Sequence, residues 1–353
     1  MAALSLVAAI VALVAILTFA SGYDPVRALA ALWRGSLGTA YAISSASLVR
    51  ATPLMLTGLA VALAFTAGVI NLGAEGQLLM GAATAVAVAP AFARSGGALV
   101  LPLVLGAGAI AGAAWAYIPA WLRRRFGVLE VISTIMMNFV AAYFVGYLVR
   151  GPLQEPLRIY PQSAQLPESA RLPLLLNGTR LHWGFGVALA SATLLWWVLR
   201  STAAGFRVRV AGANPDAARS ASLIDVNRTA THAFLVSGLL AGLAGAVEVS
   251  GVTYSLYENL SPGYGYTAIA VALVGSLDPI LTALSAILFG ALEAGASAMQ
   301  RDAGVPSVLA SVVEAAIIVL LVAFSALRSR RASGRLRVFL LGLASRRGES
   351  GTS

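Results

Sequence analysis

Neither cysteine nor lysine occurs among the 353 residues, and all 24 basic side chains are arginine. The absence of cysteine excludes disulfides, thiolate metal sites and a cysteine nucleophile. The absence of lysine excludes the phosphate-gripping loop of nucleotide hydrolases, which ends in lysine followed by Ser or Thr. Charge is scarce as well: 11% of residues carry one, against about 25% in ordinary soluble domains. Histidine occurs only at His182 and His232, with no second ligand at metal spacing, so no metal site is expected. The HExxH and GxSxG patterns are missing too, which argues against an intramembrane hydrolase.

What the chain has in abundance is apolar surface. Hydrophobic residues make up 59% of it, and the mean hydropathy is +0.85. A spanning helix needs about 20 mainly apolar residues. Eight stretches come close: 1–20, 51–70, 99–122, 131–149, 185–199, 233–249, 280–296 and 308–324. The first twenty residues lack a basic n-region and their apolar run exceeds the usual signal length, so they read as a retained span. A shorter run, TAIAVALVG before Gly275, lies between Pro262-Gly263 and Asp278-Pro279 and reads as a short or broken helix. The expected fold is an all-α polytopic membrane protein with about ten transmembrane segments.

Arginine placement orients these segments. Seven arginines fall in the tail 328–353, five between Arg200 and Arg228, and three at Arg123 to Arg125. Putting these segments inside leaves both termini cytoplasmic and places about 150–183 outside. The expected organisation is one transmembrane domain over 1–327, with a cytoplasmic loop at about 201–229, followed by a basic, disordered cytoplasmic tail over 328–353. The net charge of +10 therefore serves topology and contact with lipid; no nucleic-acid partner is expected.

Polar groups in an apolar segment mark a pathway, a gate or a broken helix. Asn71-Leu72-Gly73-Ala74-Glu75-Gly76-Gln77 lies between two apolar runs. It reads either as an unwound stretch offering amides to a ligand or as a plain surface turn. Glu130, Thr134 and Asn138 are four apart and share one helix face; they read as substrate contacts or as helix-to-helix hydrogen bonds. Glu248, Asp278, Glu293 and Glu314 leave an ion-coupled carrier as the rival reading. Gly108-x-x-x-Gly112 and Gly238-x-x-x-Gly242 are close-packing motifs. In the cytoplasmic loop, Asn214 can cap a short Ala-rich helix with Pro215 at its first position.

Four segments carry a family resemblance: 51–82 (ATPLMLTGLAVALAFTAGVINLGAEGQLLMGA), 130–149 (EVISTIMMNFVAAYFVGYLV), 212–224 (GANPDAARSASLI) and 262–280 (PGYGYTAIAVALVGSLDPI). Together they resemble the permeases of the simple-sugar and nucleoside branch of ABC importers, relatives of ribose and branched-chain amino acid permeases. The resemblance implies a type II importer fold in a bacterial inner membrane and alternating access. This chain would bind no cofactor, and a cytoplasmic ABC ATPase would hold ATP and Mg. An extracytoplasmic binding protein would deliver nucleosides or related sugar-containing metabolites, and a second, homologous permease would complete a heterodimer rather than a homodimer. The coupling helix would involve Gly212, Asn214, Pro215, Ala217, Ala218 and Arg219. Substrate would meet Asn71, Glu75, Gln77 and Asn138, with Tyr264 and Tyr266 as outer-gate aromatics.

Overall fold

The computed structural model describes residues 2–93, 99–220, 224–324 and 327. The expected basic tail over 328–353 and residues 221–223 of the cytoplasmic loop lie outside the described residues. The helices run in order: α1 Ala2–Ala20, α2 Pro25–Ser36, α3 Ala40–Thr66, α4 Ala74–Ala93, α5 Val100–Phe126, α6 Glu130–Arg150 and α7 Gly184–Ser201. They continue as α8 Ala203–Ala213, α9 Pro215–Ser220, α10 Val226–Thr253, α11 Tyr264–Val274, α12 Pro279–Asp302 and α13 Ser307–Phe324. Eight of them, α3 to α7, α10, α12 and α13, are long and apolar enough to cross a membrane; α1 and α11 are shorter apolar helices. The protein is thus all-α and polytopic.

Local chemistry sets the helix boundaries. Asp24 caps α2, accepting from the amides of Val26 at 2.9 Å and Arg27 at 3.3 Å, with Pro25 at the first position. Asp278 and Pro279 start α12 the same way, at 3.0 and 3.2 Å from the Ile280 and Leu281 amides. Gly127, at φ +68°, ends α5 in the left-handed conformation that glycine adopts without steric cost. Turns of π-helix occupy Ile43–Ser47 within α3 and Val249–Thr253 at the end of α10.

Two boundaries differ from the sequence reading. The span expected from residue 51 starts at Ala40, because Thr39 caps the helix by accepting from Ala42 N at 3.0 Å. Much of the stretch from Ser21 to Arg50, between the first two expected spans, is therefore helical. In it α2 is amphipathic: Ala28 and Ala31 are buried while Arg27 and Arg34 stay exposed, and its inner face packs on α12.

Between helices in lipid there is little hydrophobic driving force, so association depends on close packing. The two glycine motifs supply it by facing each other. A Cβ on Gly242 of α10 would lie 2.5 Å from the Gly108 carbonyl oxygen and 2.7 Å from Gly112 Cα, both on α5. One on Gly81 of α4 would run into the backbone of Gly242. Thus α4, α5 and α10 meet backbone to backbone. The helices α3 and α10 are buried along most of their length, whereas α5, α6, α7 and α13 present much of their surface outward.

Candidate functional site

The chain between α3 and α4 unwinds inside the protein. Gly68 takes φ +77°, and the backbone then runs without helix to Ala74. Asn71 and Gln77 are fully buried, and their amides pair with each other across the break. Asn71 Nδ2 also donates to Ser237 Oγ on α10 at 2.8 Å, and Ser237 donates to the Ala60 carbonyl of α3 at 2.6 Å. The segment is not a surface turn, and these two amides point into the core rather than into open space.

Asn138, midway along α6, completes the bracket. Its Oδ1 accepts from Gly76 N at 2.8 Å; its Nδ2 donates to the Leu72 carbonyl at 2.8 Å and to the Tyr266 hydroxyl at 3.3 Å. Of the expected face, Thr134 bonds back to the Glu130 carbonyl at 2.6 Å, and Glu130 pairs with Arg123 at 3.4 Å. Only Asn138 of that row reaches the cavity described next.

The N-termini of α4 and α11 abut. A Cβ on Gly265 would collide with the backbone of Glu75, so only glycine permits this approach. Gly265 N donates to Glu75 Oε2 at 2.7 Å, and the Ser261 hydroxyl hydrogen-bonds the same carboxyl. Two helix N-termini thus converge on one carboxyl group, where peptide dipoles and free N–H groups are turned toward it. With 11 residues α11 is about 16 Å long, roughly half of a ~30 Å hydrocarbon layer. Its far end leads into the turn containing Asp278.

Above this junction opens a cavity of about 720 Å³, within the usual range of roughly 300–1,000 Å³ for small-molecule sites. Glu75, Asn138, Ser261 and Tyr266 form its floor, and Phe139, Tyr143 and Tyr147 form one wall. The three wall aromatics are four residues apart on α6 and lie uncovered in the single chain. At the rim Arg150 binds Glu258 through one edge of its guanidinium, Nε to Oε1 at 2.6 Å and Nη2 to Oε2 at 2.9 Å. That pairing holds the Glu258 carboxyl below its usual range.

Three expected pathway residues, Glu75, Asn138 and Tyr266, therefore share one cavity. Asn71 and Gln77 knit the break behind it, and Tyr264 is buried with 6% of its surface exposed, outside the cavity lining. The sequence reading missed the aromatic row and the Arg150–Glu258 pair. The signal was the four-residue spacing of Phe139, Tyr143 and Tyr147, which a lipid-facing stripe shares.

In the loop expected to be cytoplasmic, α8 leads through Asn214 into α9. Asn214 Oδ1 accepts from Ala217 N at 3.0 Å with Pro215 at the first helical position, Ala218 is buried, and Arg219 pairs with Asp216 at 3.0 Å. Gly212 rests on the start of the break: a Cβ on Gly68 would lie 3.1 Å from Gly212 Cα. Beside this contact a groove of about 500 Å³ includes Trp196, Arg200, Arg209 and Asp278, with Arg200 paired to Asp278 at 3.0 Å. Glu248, Glu293 and Glu314, the other acidic residues of the rival reading, lie within electrostatic reach of Arg50 on α3. Arg50 itself donates to Ser297 Oγ at 3.2 Å.

Residues 43–322 match the model of a family described as the permease component of the branched-chain amino acid transport system. The chain belongs to this permease family. The permease is 39% identical over 316 residues to the guanosine ABC transporter permease NupP of Bacillus subtilis, covering 88% of this chain and 89% of that one. It is 37% identical over 309 residues to the glucose ABC transporter permease TsgB13 of Haloferax volcanii, covering 85% and 80%. A second Bacillus subtilis guanosine permease, NupQ, matches at 30% identity over 254 residues, covering 70% of this permease and 79% of its own length. No solved structure matches the permease. It is a multi-pass membrane transport component.

Proposed function

We propose that this chain is the membrane-spanning subunit of an ABC importer that carries nucleosides or related sugar-containing metabolites into a bacterial cell. The observation that carries the proposal is the 720 Å³ cavity above the junction of α4 and α11. It has the size for one nucleoside, a polar floor and an aromatic wall, and its face on α6 is left uncovered by the chain itself. A second, homologous permease covers that face, in keeping with the two guanosine permeases of one organism that both resemble this chain.

A separate ATPase holds Mg and ATP and docks on the α8–α9 loop through Gly212, Asn214, Pro215, Ala217, Ala218 and Arg219. A binding protein delivers the substrate to the outer surface. Arginine placement sets both termini in the cytoplasm of an inner-membrane protein. Substrate passes Glu75, Asn138 and Tyr266, while Asn71 and Gln77 hold the broken span in shape and Tyr264 packs behind it.

The test is uptake of guanosine into liposomes holding the four kinds of subunit. Uptake that needs ATP inside the ATPase compartment, and stops when the ATPase is left out, is the expected result. Uptake driven by a proton or sodium gradient without ATPase would make the chain an ion-coupled carrier instead. Uptake of glucose but not guanosine would move the substrate to a simple sugar.

A further inference from the structure

The cavity is chemically divided, and the division says which part of a substrate goes where. On the floor, the Glu75 carboxyl is held by Gly265 N and the Ser261 hydroxyl, and its two oxygens, with about four lone-pair positions, keep capacity to accept from a ligand. Tyr266 accepts from Asn138 Nδ2 with its hydroxyl oxygen, so its own proton remains to be donated. Asn138 has no such freedom, since its amide already serves Gly76, Leu72 and Tyr266. The floor therefore offers a carboxyl acceptor beside a phenolic donor, the complement of adjacent hydroxyl groups. On the wall, Tyr143 and Tyr147 are 80% and 65% exposed and present ring faces without charge. Arg150 supplies the positive charge among the described lining residues, and Glu258 binds its Nε–Nη2 edge and offsets that charge.

We propose that Glu75 and Tyr266 read the sugar hydroxyls of a nucleoside, that the α6 aromatics stack its base, and that the site refuses phosphorylated forms. This rests on the nucleoside reading above. A substrate that lacks the hydroxyl pair leaves the buried Glu75 carboxyl short of a donor, and hydrogen bonds to charged or strongly polar partners give the largest discrimination. A phosphate entering the cavity would shed water beside the carboxyl groups of Glu75 and Glu258, where the Arg150 charge is already offset by its pairing with Glu258.

The absence of native cysteine provides the test. In the whole complex, with cysteines removed from the other subunits and the binding protein omitted, Ala142→Cys places one thiol among the wall aromatics. Its rate of maleimide labelling is measured against guanosine, 2′,3′-dideoxyguanosine and guanosine monophosphate. Guanosine should protect at concentrations about tenfold or more below those of the other two. Adding Glu75→Gln should shrink the gap between guanosine and its dideoxy analogue to within about threefold. Tyr266→Phe, which keeps the ring and removes only the hydroxyl, should narrow the same gap and carries the test if Glu75→Gln does not assemble. An unchanged gap in the variants, equal protection by the monophosphate, or no protection by guanosine in a complex that imports it would each overturn the division. A parallel uptake assay on the unaltered complex separates these results from failure of the nucleoside reading, which would show as no guanosine uptake.

Discussion

Asn71 and Gln77 exchange two amide hydrogen bonds across the gap between α3 and α4, at 2.9 Å and 3.2 Å. The ring they form closes an unwound segment that neither lipid nor water can satisfy. Removing one partner strands the other, at a cost of about 1–3 kcal/mol for a buried polar group. Asn71→Ala and Gln77→Ala should each lower the thermal unfolding midpoint of the detergent-solubilised protein. The double variant should lose less than the sum, because the second deletion removes a group already orphaned. Additive losses would mean that the two amides do not act as a pair.

The glycine contact between α5 and α10 reverses an ordinary rule. Alanine is favoured over glycine within a helix by about 1 kcal/mol. At Gly242 a methyl group would instead meet backbone atoms of Gly108 and Gly112 at 2.5 and 2.7 Å, where no flexible side chain can move aside. Gly242→Ala should therefore destabilise the fold by about 1–3 kcal/mol, the usual cost of overpacking. Gly106, which has nothing within 4 Å of its added Cβ, is the matched control. A stabilising Gly242→Ala would show that the helices sit further apart.

These glycines also show what the sequence makes legible. Their four-residue spacing announces close packing, and the caps at Asp278 and Asn214 announce helix starts, because each depends on residues a few positions apart. Burial of Asn71 could not be read the same way. Its partner Ser237 comes from α10, 166 residues away, so only the fold reveals whether the amide faces a ligand or a hydroxyl. The same holds for Tyr264 and Tyr266. Two residues apart at the start of α11, one lies in the core and the other in the cavity, a choice set by where α4 abuts. The contact between Arg50 and Ser297, 247 residues apart, is another long-range fact that no local pattern contains.

His182, fully buried in the outer loop, gives a pH dependence. Its Nδ1 accepts from Gly184 N at 3.2 Å, and Gly251 packs against the ring. Burial, assisted by the charge of Arg180, pushes its pKa from 6.5 down to about 4. The folded state then binds fewer protons than the unfolded one between those values. The stabilisation is complete above pH 6.5 and is lost as pH falls toward 4, by ~3 kcal/mol in total. The unfolding midpoint of the native protein should fall over that window more steeply than that of His182→Gln. Parallel curves would show that the imidazole is already hydrated or paired.

Arg150 and Glu258 join the end of α6 to the loop ahead of α11 at the cavity rim. Their side chains are substantially solvent-exposed, so the pair should add no more than about 1 kcal/mol to stability. Its effect should appear in transport, because opening the rim requires the fork to part. Arg150→Ala and Glu258→Ala should change uptake rates with little change in unfolding midpoint. The exchanged pair, Arg150→Glu with Glu258→Arg, should recover part of the native rate. A double exchange no better than either single change would argue that one residue contacts substrate directly.

Gly212 connects the α8–α9 loop to the segment that carries Glu75. A methyl group there would press on the Thr66 carbonyl and lie 2.9 Å from Gly68 N, at the start of the break. From Gly68 the chain runs through the Asn71–Gln77 ring to Glu75, whose carboxyl holds the N-terminus of α11. Movement of α9 against an ATPase would thus reach the cavity floor through backbone contact, with no long side chain to absorb it. Gly212→Ala should leave the subunits assembled and ATP hydrolysis running, yet lower nucleosides imported per ATP by roughly tenfold, within the range of ordinary coupling energies. Were uptake and hydrolysis to fall together with loss of the ATPase from the purified complex, Gly212 would serve docking alone. Unchanged uptake per ATP would place the transmission elsewhere, with the α11–α12 turn beside the cytoplasmic groove as the next contact to alter.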